Sequence, residues 1–174
     1  MKRQGSPTTK ELILDAVVML AAERGVEAAT VRSIAARVGI TEGAVYRHFE
    51  SKLDLLRQAY VQVLDAFVTP KEQIEKRDIS ARRKLAAWVR HSYEFFDANT
   101  HRYCFLLFTQ HDVGVYGVDW FPRLGAAFSR IYDQGIGEGL FHPMKAPLAL
   151  CHFAGVVTNV TRLIWSGHVP GPAL

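Results

Sequence analysis

At 174 residues the chain is long enough to bury a sizeable core in one or two domains, and its 49% hydrophobic and 22% charged residues are ordinary for a soluble globular protein. The formal charge of +4 permits contact with nucleic acid without establishing it, because placement of charge matters more than its sum. The opening MKRQGSPTTK lacks the apolar run of a signal peptide, and no window reaches the ~20 apolar residues of a membrane span, so a cytoplasmic protein is expected. The two cysteines, Cys104 and Cys151, lack CxxC or Cys/His ligand spacing and read as buried, reduced thiols.

Residues up to about Pro7 read as a solvated tail, although Lys2 and Arg3 could reach a phosphate. Thr8 and Glu11 have the spacing of a capping box, Ile13, Ala16, Val17 and Leu20 repeat as a buried helical stripe, and Gly25 stops the helix. Thr30 stands where an N-cap is wanted, and Val31, Ile34, Ala35 and Val38 give the next short helix one apolar face. Gly39 ends it at a turn through positive φ, Ile40 fills the corner, and Thr41 caps a second short helix running through GAVYRH. Two short helices crossing near a right angle need a small residue at the contact and apolar ones around it; Ala35, Gly39 and Val45 meet that demand. This layout is a helix-turn-helix, whose second helix lies in the DNA major groove.

Ser51 and Asp54 have the spacing of another capping box, opening a helix with Leu55, Leu56, Ala59, Tyr60, Val63 and Phe67 on its apolar face. It is expected to connect the two halves over about residues 51–68, to end at Pro70, and to give way to an exposed, charged crossing, KEQIEKRDI. The pattern then stays helical, with helices near residues 80–99, 101–110, 119–138 and 146–166 and loops at 111–118 and at GEGLFHPMKAP. An all-α fold follows: an N-terminal three-helix domain with a helix-turn-helix (1–50) and a C-terminal helical domain (51–174). The last helix is apolar on nearly every face and must be covered on more than one side, which points to a second subunit.

The stretch GITEGAVYRHFESKLDLL resembles the DNA-binding signature of the tetracycline-repressor (TetR) family of bacterial transcriptional regulators, and TTKELILDAVVMLAAERGVEAATVRSIAARV is similar to that family's first two helices. The resemblance covers about the first third of the chain. Relatives usually carry aromatics where Ala21 and Val26 stand, a departure that touches packing rather than DNA contact. The resemblance implies a two-fold dimer through a four-helix bundle, with residues 119–138 as the second contributor. It also implies a small molecule bound among the C-terminal helices that shifts the connector and moves the reading heads out of register.

Thr41, Glu42, Gly43, Ala44, Tyr46 and Arg47 lie on the leading turns of the reading helix. Gly43 and Ala44 allow close approach, and Ala44 could touch a thymine methyl group. Arg47 could fork onto guanine or reach a phosphate, and Glu42 either favours the helix N-terminus or accepts from a cytosine amino group. The resemblance assigns phosphate or sugar to Tyr46 and His48, backbone phosphate to Lys52, and bases to Arg32; Thr30 completes the DNA-facing set. Arg37 and Arg57 read as solvated, Val45 and Phe49 as core.

Aromatic residues crowd the C-terminal half, and polar ones interleave with them. Trp88, His91, Phe95, Phe108, Trp120, Phe128, His152, Asn159 and Arg162 form the candidate ligand set, against a filled core as the alternative. No GxSxG, P-loop, GxGxxG or HExxH occurs, so no enzyme, cofactor or metal is expected. The expected partners are a double-stranded operator, a second copy of the chain and a small-molecule effector, with no membrane. Function is expected to be a repressor released from a palindromic operator by a largely apolar, aromatic or acyl-chain ligand. The alternative is a DNA-binding module whose C-terminal half only dimerises or docks another protein.

Overall fold

The computed structural model describes residues 6–109 and 121–172, and all regular structure among them is helical. In chain order these helices are α1 (Thr9–Arg24), α2 (Val31–Val38), α3 (Glu42–Tyr46), α4 (Lys52–Glu75), α5 (Ala81–Ala98), α6 (Thr100–Thr109), α7 (Phe121–Gly137) and α8 (Ala146–Trp165). A 3-10 turn at Val26–Ala28 follows α1. Lys2, Arg3, the loop expected at 111–118, Trp120 and the side chain of Phe108 lie outside the described residues. The described residues divide into two compact units, 6–63 with 104–109, and 64–103 with 121–172.

In the first unit, α1 opens on the expected capping box. Glu11 N–H donates to Thr8 Oγ1 at 3.3 Å and Thr8 N–H to Glu11 Oε2 at 2.7 Å. The backbone bond from Thr8, above all, holds the Glu11 carboxyl below its usual range. Ile13, Val17, Ile34, Val45, Leu55 and Ala59 are buried together with Phe49, joining α1 to the helices that follow. Each large aliphatic residue so buried contributes roughly 1.5–3 kcal/mol. Gly25, at φ +83°, ends α1 in a backbone conformation that a side chain would strain. Tyr60 and Phe105 meet edge-on at 6.2 Å, and burial pushes the neighbouring Cys104 thiol up to about 12, which leaves it inert near neutral pH. Cys151, expected to be buried as well, is exposed on α8.

In the second unit α5, α7 and α8 pack on one another. Trp88, Phe128 and Ile131 fill the centre, and Phe128, Tyr132 and Phe141 stack in succession. Glu138, at the end of α7, supplies the N-terminal cap that Ser80 does not give α5: its Oε2 accepts from Ala81 N–H at 3.0 Å.

Two expectations are corrected here. The connector helix does not stop near Val68; α4 runs through Pro70 to Glu75. Proline removes one helical hydrogen bond, but residues on both sides of it are fastened to α7. Arg123 grips Glu72 through Nε and Nη2, at 3.0 and 2.9 Å, and also reaches Asp65, while Arg130 pairs with Glu75 at 3.0 Å. Nor is the following stretch wholly exposed, since Ile74 is buried and Lys71 is only 3% exposed. The second correction concerns α8, which is long and apolar enough by length and composition to cross a membrane. Only about a fifth of it is buried within this chain (22%), and Leu148, Val156 and Leu163 stand exposed.

Burial, acting alone, lowers the Lys71 ammonium to about 7 from an ordinary 10.5. Between those values the unfolded chain holds a proton that the folded chain has lost, so stability rises with pH across that window. Lys71→Met should remove this rise, leaving a flatter profile when urea unfolding is followed from about pH 6 to about pH 10. An unchanged slope would show that Lys71 is not the group titrating.

Candidate nucleic-acid interface and effector residues

The reading helix α3 has five residues and owes its position to its ends and its back. Thr30 caps α2 by accepting from Ser33 N–H at 3.1 Å, and Thr41 caps α3 by accepting from Ala44 N–H at 3.2 Å. Between them Gly39 takes the left-handed conformation, φ +77° and ψ +32°, and its N–H closes on Ala35 O. Ala35 and Val45 are buried at the crossing, and Phe49 anchors the exit under the Lys10 ammonium, 5.5 Å from the ring centroid. Ser51 caps α4 through Asp54 N–H, but the Asp54 carboxylate returns to Glu50 N–H rather than to Ser51.

With its back fixed, α3 presents Thr41, Glu42, Gly43, Tyr46, Arg47 and His48 outward, with Ala44 half-buried between them. Tyr46 is 53% exposed, a large aromatic left facing solvent. Thr30 and Arg32 are exposed on α2, and among the described residues neither Arg32 nor Arg47 forms an ion pair. Lys52, half-exposed, stands 4.0 Å from a fully solvated Glu27 carboxylate, a loose pairing worth little. Arg37, by contrast, is tied to both oxygens of Glu23 at 3.2 Å, and so is engaged within the fold. A Cβ at Gly43 would find only Thr41 Oγ1, at 4.0 Å. The fold itself therefore makes no demand for glycine there.

The candidate effector residues are not all brought together. Trp88, His91 and Phe95 lie on α5, with Phe95 and His91 packed round Phe67 at 5.2 and 5.8 Å; Phe128 meets Trp88 at 6.0 Å. His91 Nε2–H donates to Phe67 O at 3.0 Å, and burial above all lowers its pKa. His152, Asn159 and Arg162 instead stand exposed on α8 within the single chain, away from that cluster, with His152 Nδ1 hydrogen-bonded to Leu148 O at 2.8 Å. Sequence reasoning missed Lys71, taken for part of an exposed crossing. The signal was present: position 71 continues the Tyr60, Val63, Phe67 stripe by one more helical turn.

A capped helix set across another at a left-handed glycine, in an all-helical chain, defines a helix-turn-helix protein. Residues 13–59 match the family of bacterial regulatory proteins named for tetR. The chain is 38% identical over 87 residues to the HTH-type transcriptional repressor KstR2 of Rhodococcus jostii, across 50% of this chain but only 43% of that protein's length. It is 35% identical over 152 residues to KstR2 of Mycobacterium tuberculosis, across 75% of this chain and 68% of the relative. The solved regulator FadR of Bacillus subtilis in complex with stearoyl-CoA shares the fold, with TM-score 0.75 and 19% identity over 92% of this chain and 89% of that one. The chain belongs to the TetR family of bacterial regulatory proteins.

Because α3 is held by its caps, Thr41→Ala should lower stability by about 1 kcal/mol in urea unfolding. A loss near zero would mean that Val45 and Phe49 alone hold the helix.

Proposed function

We propose that the chain is a sequence-specific DNA-binding transcriptional regulator, a repressor that leaves a palindromic operator when a small, largely apolar ligand binds. The observation that carries this reading is the outward row on α3: exposed polar and cationic side chains on a helix whose other side is buried. In this reading residues 1–50 read DNA. Arg47 and Arg32 approach base edges, Tyr46, His48 and Lys52 hold the backbone, Thr41 and Thr30 sit at the helix ends nearest the phosphates, and Glu42, Gly43 and Ala44 face the groove. It acts in the cytoplasm, where the DNA is.

Residues 51–174 bind the effector and pair two copies. The exposed Leu148, Val156 and Leu163 on α8 support pairing, since that face lacks cover within one chain. Two reading helices related by a two-fold axis bind half-sites ~34–36 Å apart, or a multiple of that. A ligand that favours the non-binding spacing depletes the competent population. The acyl chain bound by the Bacillus subtilis neighbour supports an apolar effector here. The second reading, a C-terminal half that only dimerises or docks a protein, draws support from the close ring packing of Trp88 and Phe128.

Selection of bound duplexes from a random pool should return an inverted repeat, and a pool without symmetry would defeat the reading. Lys52→Ala should weaken all sequences alike and flatten the salt dependence by about one unit, while Arg47→Ala relaxes preference at one base if it reads an edge. Gly43→Ala should fold as well as the parent, or better by up to about 1 kcal/mol, yet bind DNA more weakly. Val156→Glu should yield monomers in sedimentation and abolish binding to the full palindrome.

A further inference from the structure

Lys71 is an ionisable side chain sealed inside the second unit with no carboxylate paired to it among the described residues. Its Nζ donates to Trp88 O at 3.1 Å and to Ser92 Oγ at 2.7 Å, and both acceptors are neutral. The rest of its surroundings are ring faces, Phe67 at 4.7 Å and Trp88 at 4.9 Å. Among the described residues no carboxylate pairs with it. Buried ammonium groups are ordinarily paired, because leaving one unpaired is costly. An ammonium also has three N–H donors, and the two neutral acceptors use two of them.

Fastening α4 to α5 does not require this charge. The same pair of helices is already joined by Trp88 Nε1–H donating to Lys71 O at 3.1 Å, a bond to the main chain that any residue at 71 would keep. On one side the ammonium is covered by the Phe67 ring. Phe67 is half-buried, and so is His91, which stacks on it. Beyond Phe67 the walls are apolar, Phe95 and Tyr103 both meeting its ring.

We propose that Lys71 is the anchor for the carboxylate of an amphiphilic effector whose apolar or aromatic body takes the place of Phe67 against Phe95 and Tyr103. The inference rests on the ligand-gated reading above and narrows it to a class of ligand. A single ammonium whose third donor meets only aromatic faces matches one negative charge. A dianionic head would keep an uncompensated charge in the same apolar surroundings. Burial holds the ammonium close to neutrality near pH 7, and a carboxylate alongside would draw it back to the charged form.

The test measures binding, by calorimetry near pH 6 where both partners are charged, of hexanoate, octanoate, decanoate and 3-phenylpropanoate, each against the alcohol of the same skeleton. At least one acid should bind about tenfold or more tighter than its alcohol, as a charge-assisted hydrogen bond would give. Lys71→Met, confirmed as folded by its cooperative unfolding, should bind acid and alcohol alike. Equal binding of acids and alcohols by the parent, or a preference for acids that survives in Lys71→Met, would overturn the anchor and leave ligand gating standing. Failure of every probe to bind would overturn the anchor and count against gating too. Operator binding by the unliganded parent, measured separately, decides the DNA-binding reading whatever the acids do.

Discussion

A helix of five residues makes too few internal hydrogen bonds to persist alone, so the placement of α3 is decided entirely by what surrounds it. The left-handed turn at Gly39 sets the angle, the Thr41 hydroxyl closes the N-terminus, and Val45 with Phe49 seats the helix on the core. Every one of these contacts is on the inner side or at an end. The outer side is left to polar groups, which is the condition for a surface that meets DNA.

The second half is governed by a different balance. Here α4 is carried past a proline that would ordinarily stop it, because the interactions beyond are strong enough to offset one missing hydrogen bond. Arg123 spans Asp65 on one side of Pro70 and Glu72 on the other, and its hydrogen bonds to Glu72 lower that carboxyl while raising the guanidinium further above its usual value. These groups are partly solvated, so each pair alone contributes little; their number on successive turns is what counts. Immediately after the proline the helix buries a lysine, and its apolar face ends at Ile74.

Much of this was legible in the sequence. The caps at Thr8, Thr30 and Thr41, the stops at Gly25 and Gly39 and the stripe through Ile13, Val17 and Ile34 are local rules, and the structure follows them because short-range chemistry decides there. The end of α4 was misread for the converse reason: Pro70 is a local signal overruled by long-range partners more than fifty residues away, Arg123 and Arg130, which nothing in the spacing announces. The exposure of His152, Asn159 and Arg162 was hidden in the same way, since an evenly apolar helix does not declare which side its own chain will cover. That evenness also gives α8 the apolar composition of a membrane-crossing helix, where no membrane span is expected. The C-terminal aromatics were read correctly as a dense set, but pattern alone did not separate those that pack on one another from those that shield a charge.

The indifference of the fold to what stands at position 43 has a wider meaning. Tyr46, Arg47 and Glu42 share that indifference, standing exposed and forming no ion pair among the described residues. Substitutions along this row leave the corner intact, whereas any side chain at Gly39 strains it. On the proposed reading, a lineage carrying this scaffold is able to drift toward a new operator one residue at a time without passing through an unstable ancestor, recognition evolving on a surface that thermodynamic selection scarcely sees.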